Sequence, residues 1–208
     1  MIYYLGFYIG KLVSNRITRY FVRKFYNLFQ AIYSGWVSNQ LGCVEKNFSI
    51  HSPCFFSGLQ YIKIGSNFSA GRRLRLEAVF RYKNVSYFPE IIIGNNVRIE
   101  EDCHIGCINR VEIGDNVLIA GKVFISDHFH GEANAGSLSI FPQERPLVSK
   151  GRVKIGNNVW IGEGVSVMPG VIIGDNSIIG AGTVVTKSFP NNSVIVGVPA
   201  KLQKEIHD

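Results

Sequence analysis

Two histidines stand one residue apart in Ile125-Ser126-Asp127-His128-Phe129-His130-Gly131, with a carboxylate directly before the first. Imidazole titrates near neutrality, so it can take the proton of a weak acid such as a hydroxyl while that group attacks an electrophile. A neighbouring carboxylate can hold the ring in one tautomer, and Asp127 is placed for that task. It is equally suited to closing a turn. On residue type alone either histidine serves as base, and both can also be plain loop residues. His104 adds a third imidazole, and three histidines raise the question of a zinc site.

Groups of this kind need a rigid frame, and the frame is written most clearly from Val153 to Val185. An aliphatic residue recurs every sixth position: Ile155, Ile161, Val167, Ile173, Ile179 and Val185. Neither a helix nor simple strand alternation has a period of six. A short strand plus a tight turn does, with Gly, Asn and Asp supplying turns that need positive φ. Three such units close one triangular coil, and stacked coils bury a face that no single repeat can bury alone. The same period is visible earlier, at Ile93, Ile99 and Ile105 and at Ile113, Ile119 and Ile125, with a first imperfect turn at Ile64-Gly65-Ser66-Asn67.

The period breaks in three places. Phe80 to Pro89 reads as an insertion, and the step from Ile105 to Ile113 is two residues too long, a bulge near Asn109-Arg110. Between Ile125 and Ile155 no repeat survives, so the chain leaves the coil at about 126–152 and returns. The histidine pair opens this excursion. Long loops on a rigid scaffold are where function concentrates.

The chain has 208 residues, 46% of them hydrophobic, enough for one main domain with a core. Cys43, Cys54, Cys103 and Cys107 form no CxxC pair and no disulfide spacing, which reads as buried, reduced thiols in a cytoplasmic protein. No apolar run is long enough to span a membrane. Residues 1–36 form a separate block with eleven aromatics, and no acidic residue precedes Glu45. Lys11, Arg16, Arg19, Arg23 and Lys24 place five of the seven excess positive charges there. Ile17, Phe21, Phe25, Leu28, Ile32 and Trp36 lie on one helical face. That face predicts a helix packed on the solenoid or a neighbouring subunit, or one lying on an anionic membrane. The solenoid itself has mixed charge and no nucleic-acid motif, so nucleic acid is not expected as a partner.

The repeats resemble those of the hexapeptide-repeat acyltransferases, most closely the maltose/galactoside and polysaccharide O-acetyltransferases, over roughly residues 58–206. Residues 1–50 lie outside the resemblance and read, from their own pattern, as an N-terminal amphipathic helical segment. The resemblance implies a mainly β fold, a left-handed parallel β-helix at 51–208 that ends in a short C-terminal helix from Lys201. It further implies a homotrimer using acetyl-CoA, a carbohydrate acceptor, free or lipid-linked, and no metal. The catalytic base carries over to His130, seven residues past Val123. His128 then orients it or binds substrate, and Asp127 or Glu77 is the candidate orienting carboxylate. Trp160, Gly162, Ala181, Thr186 and Lys187 would line the acetyl-CoA groove, with Lys201 near its phosphates. Gly71 stands where related sugar enzymes carry an acceptor-binding Asn, and Glu163 where several carry Ser.

The function expected is O-acetylation of a sugar hydroxyl of a surface polysaccharide or its precursor, at the cytoplasmic side, possible contact with the inner membrane face included. An antibiotic O-acetyltransferase is the alternative with the same chemistry. The γ-class carbonic anhydrases use this fold with three zinc-bound His, but their paired spacing is HxxxxH and here it is HxH. A purely structural solenoid gives no reason for an excursion that opens on SDHFH.

Overall fold

The computed structural model of the chain describes residues 2–14 and 16–206. Met1, His207 and Asp208, assigned above to the end segments, lie outside the described residues, as do the side chains of Arg16 and Ile17.

The six-residue period becomes a prism with three faces, each a parallel sheet. The first face stacks Cys43–Val44, Ile62–Ile64, Glu90–Ile93, Arg110–Ile113, Val153–Ile155 and Ile172–Ile173. The second runs through Ser49–Ile50, Ser69–Ala70, Arg98–Ile99, Leu118–Ile119, Trp160–Ile161, Ile178–Ile179 and Ser193–Val196. The third runs through Phe55–Ser57, Arg75–Ala78, His104–Cys107, Phe124–Ser126, Ser166–Val167 and Val184–Val185. Register places like on like, with Ile99 opposite Ile119 and Ile119 opposite Ile161.

Alternation along each short strand turns two residues inward rather than one. Val97 with Ile99, Val117 with Ile119, and Val159 with Ile161 are all buried. The hexad spacing captures the second of each pair; its partner two residues earlier completes the core. Each such side chain contributes about 1.5–3 kcal/mol on burial.

One corner explains the repeated Asn of the IGNN and IGDN turns. Asn47, Asn67, Asn96, Asn116, Asn158, Asn176 and Asn192 all hold φ between 55° and 60°. Each Nδ2 donates to the Oδ1 of the next, at 2.8–3.0 Å, forming a continuous ladder. Asn tolerates the left-handed region and supplies one donor and one acceptor along the stack.

The ends of the prism differ from the sequence expectation. The coil begins at Cys43, ahead of residue 51, because helix α2 (Arg16–Ser38) caps its open edge. Ser34 Oγ accepts from the Ile50 N–H at 3.0 Å, Gln30 Oε1 from Ser52 at 2.8 Å, and Tyr33 Oη from Cys54 at 3.2 Å. Side chains of α2 therefore satisfy an edge that would otherwise be unpaired. At the other end Lys201–Glu205 is a strand, not the expected helix. It pairs antiparallel with Ser193–Val196 and closes the edge of the second face. The four cysteines are free thiols; Cys103 and Cys107 are buried as expected, Cys54 is half-buried, and Cys43 is exposed.

Candidate active site

The three breaks in the period stack at one corner. Residues 79–89, 108–109 and 127–152 each follow a strand of the third face, and those three strands are adjacent. The first break folds as a hairpin, Arg81–Tyr82 against Val85–Ser86, that braces the excursion. Tyr82 Oη donates to the Gln143 carbonyl at 2.7 Å, Lys83 pairs with Glu144 at 2.8 Å, and Tyr87 Oη accepts from the Leu147 N–H at 2.9 Å. The excursion itself opens as an antiparallel pair, His128–His130 against Leu147–Ser149.

Asp127 is the anchor of this corner. Its side chain is fully buried. Its Oδ1 accepts from Ile108 N–H at 2.9 Å, and its Oδ2 from Asn109 and Arg110 N–H, both at 2.8 Å. The two-residue bulge is thus wrapped around a carboxylate from the next coil. Burial pushes this carboxyl up, but the His128 hydrogen bond and the Ile108 and Asn109 amides outweigh it and hold it below the usual range.

Within one chain, the two candidate orienting carboxylates meet histidines other than His130. Asp127 Oδ1 lies 2.9 Å from His128 Nδ1, so it holds His128 and not His130. Glu77 lies 2.9 Å from His104 Nε2 and 2.7 Å from Arg75 Nε, so it holds His104. The reason is register. Glu77, Gly106 and Ser126 are consecutive rungs of one column, which brings His104 and His128 to either side of Gly106. A Cβ on Gly106 would meet His128 Cε1 at 3.3 Å and His104 Nε2 at 3.5 Å, so both rings use the space glycine leaves.

His130 stands apart from this cluster. It is exposed, its ring meets Tyr82 edge-on at 5.4 Å, and among the described residues its nitrogens make no hydrogen bond. It borders an open cavity of about 710 Å³ inside the excursion, lined also by Phe129, Glu132, Leu138, Arg145 and Lys150. Tyr82 and Arg145 were not singled out by sequence. The broken period at FRYKNVSYFP was the signal for the first; nothing in the pattern marks the second.

The residues assigned to the cofactor lie at two edges of the prism. Gly162 and Ala181 turn the corner between the second and third faces, next to the exposed Trp160. Thr186 and Lys187 follow the third face, at the corner of the excursion two coils further on. Lys201 is on the terminal strand of the second face. A Cβ at Gly162 would meet Ala181 N at 2.6 Å, so coil stacking alone requires glycine there. Gly164 and Gly182, at the same corner, meet nothing within 4 Å and leave bare backbone open to a ligand's amides. Gly71 lies on this corner too, at a lower coil; a Cβ would meet Glu101 N at 2.8 Å, leaving no room for a side chain. Among the described residues no three His, Cys, Asp or Glu side chains converge on a metal position.

Glu77 gives a pH prediction. The His104 hydrogen bond, then Arg75, overcome desolvation and hold its carboxyl at about 2. A depressed folded-state value stabilises the fold above the unfolded carboxyl value of about 4.3, and the gain is lost as pH falls toward 2. Glu77→Gln should therefore melt below wild type at neutral pH, and the difference should close between about pH 4 and 2. Paired melting curves across that range check it.

Residues 152–187 match the bacterial transferase hexapeptide family (six repeats). The chain is 43% identical over 160 residues to the putative lipopolysaccharide biosynthesis O-acetyl transferase WbbJ of Escherichia coli K12, covering 75% of this chain and 78% of that protein. Among solved structures it is similar to a galactoside acetyltransferase in complex with coenzyme A, with 34% identity and a TM-score of 0.58. That match covers 83% of this chain and 68% of the other. A maltose O-acetyltransferase from Clostridium difficile shares 30% identity with a TM-score of 0.58, covering 91% and 87%.

Proposed function

This chain belongs to the hexapeptide-repeat acyltransferases, and we propose that it moves an acetyl group from acetyl-CoA to a sugar hydroxyl of a surface polysaccharide or its precursor. The observation that carries this reading is His130, an imidazole with free nitrogens beside an open cavity built by the excursion. In the proposed reaction His130 takes the hydroxyl proton as the oxygen attacks the thioester carbonyl. The C–S bond then breaks, and the same proton passes to the departing thiolate. Phe129, Leu138 and the aliphatic stem of Arg145 give the cavity apolar walls, and Glu132 and Lys150 offer groups to an acceptor's hydroxyls.

The donor is assigned to Trp160, Gly162, Ala181, Thr186, Lys187 and Lys201. Bare backbone at Gly164 and Gly182 supports close approach of an amide-bearing arm, and the lysines suit its phosphates. These residues flank opposite edges of the third face, so one groove needs the corner of a second copy against the first. A homotrimer with sites between subunits meets that need. The acceptor reading draws on the name of WbbJ, a lipopolysaccharide-biosynthesis O-acetyl transferase. With no side chain possible at Gly71, the acceptor is held differently from the sugar enzymes that carry Asn there.

A second reading makes His128 the base, since Asp127 on its Nδ1 forms a carboxylate–imidazole pair. Labelled acetyl-CoA presented with a panel of glycans and antibiotics tests the whole proposal. Labelled glycan is the expected result. Label confined to an antibiotic would overturn the acceptor, and an absence of both transfer and acetyl-CoA binding would overturn the donor.

A further inference from the structure

Helix α2 is mounted with its polar side inward. The side chains that meet the solenoid include Tyr26, Gln30, Tyr33, Ser34 and Val37. Gln30, Tyr33 and Ser34 hydrogen-bond the first coil, and Tyr26 Oη accepts from Arg72 at 2.8 Å while its ring meets His51 edge-on. The stripe Phe21, Phe25, Leu28, Ile32 and Trp36, read above as packing on the solenoid or a neighbouring subunit or as lying on an anionic membrane, points away from the solenoid, as does Phe29 beside it. Each of these six is 52–70% exposed. A helix normally buries its apolar stripe, and contiguous exposed apolar surface marks an interaction site. Helix α1 (Ile2–Val13) adds Tyr3, Tyr4, Leu5, Phe7, Tyr8 and Ile9, all at least half exposed.

Charge selects the occupant. No acidic residue precedes Glu45, and five basic residues do. Lys11 Nζ sits 4.9 Å from the Phe7 ring and Lys24 Nζ 4.7 Å from that of Tyr20, so cations stay beside the aromatic surface. An apolar face rich in Tyr, Phe and Trp and rimmed by cations without acids complements the boundary between acyl chains and anionic headgroups. A second copy would bring the same acid-free basic surface against itself, which like charge disfavours. No described helix is long and apolar enough to cross a membrane.

We infer that α1 and α2 lie in the plane of an anionic lipid surface, with the solenoid hung from α2 by the Gln30, Tyr33 and Ser34 contacts. This inference stands without the acceptor assignment.

Flotation of the full chain with phosphatidylcholine vesicles, with and without phosphatidylglycerol, tests it. Wild type should float with the mixed vesicles at low salt, weaken as salt rises, and stay down with neutral ones. Arg19→Glu/Arg23→Glu should lower partitioning by about fivefold or more per cation removed. Phe21→Ala/Phe25→Ala/Ile32→Ala should abolish flotation at an unchanged melting temperature, since those exposed side chains stand clear of the residues that anchor α2. Wild type that stays down with anionic vesicles overturns the inference. So does a triple variant that floats like wild type, or one that loses its oligomeric state in lipid-free buffer, which would give the stripe to a second copy.

Discussion

His130→Ala is expected to lower acetyl transfer by about 10²–10⁴-fold, the usual contribution of a positioned general base. The melting temperature should not move, because the side chain is exposed and touches little beyond the Tyr82 ring. Acetyl-CoA binding should also persist, since no donor residue assigned here contacts His130. Added imidazole should restore part of the turnover, as the cavity beside the ring is open. His128→Ala serves as the comparison. Its ring is half-buried and tied to Asp127, so its loss should cost stability as well as activity. If turnover survives in His130→Ala and disappears in His128→Ala, the base is His128. If both variants keep full turnover, neither histidine is the base.

Asp127→Ala should produce the largest loss of stability of any single substitution in the excursion. It strands the Ile108, Asn109 and Arg110 amides and removes the partner of His128 Nδ1, all in a buried setting. A hydrogen bond to a charged group is worth about 1.5–3 kcal/mol, and breaking a buried pair costs about 3–5 kcal/mol. For a chain of this size the latter lowers Tm by roughly 6–20 °C. Asp127→Asn should fall between, because one acceptor oxygen remains but an amide donor now faces backbone donors. The carboxyl sits below its usual range in the fold, so its stabilisation is complete at neutral pH and fades as pH falls through the folded value. Thermal melts of the three proteins, with hydrogen exchange at residues 108–110, measure this. An Asp127→Ala protein with wild-type Tm would remove the carboxylate from its anchoring role.

The period of six, the turn chemistry and the three places where the pattern fails are all legible in the linear chain. They are local: an inward aliphatic recurs every coil third, and Gly, Asn or Asp sits wherever the backbone must enter positive φ. The family resemblance followed from the same signal. Lys201–Glu205 reads differently in the fold because strand formation there depends on an unpaired edge of Ser193–Val196, which no local propensity encodes. The aromatic stripe of α2 was equally visible, but its direction was not. Gln30 and Ser34 look unremarkable in sequence, and they win the inward face because the first coil's amides need acceptors there.

The linear sequence thus established a three-faced solenoid with a histidine-bearing excursion, because repeat spacing dictates coil geometry. Which carboxylate meets which histidine was settled only by stacking. A coil is 18 residues where regular and longer where broken, so rungs such as Glu77, Gly106 and Ser126 meet at separations that no motif records. That register joins Asp127 to His128 and Glu77 to His104, and leaves His130 free in the cavity.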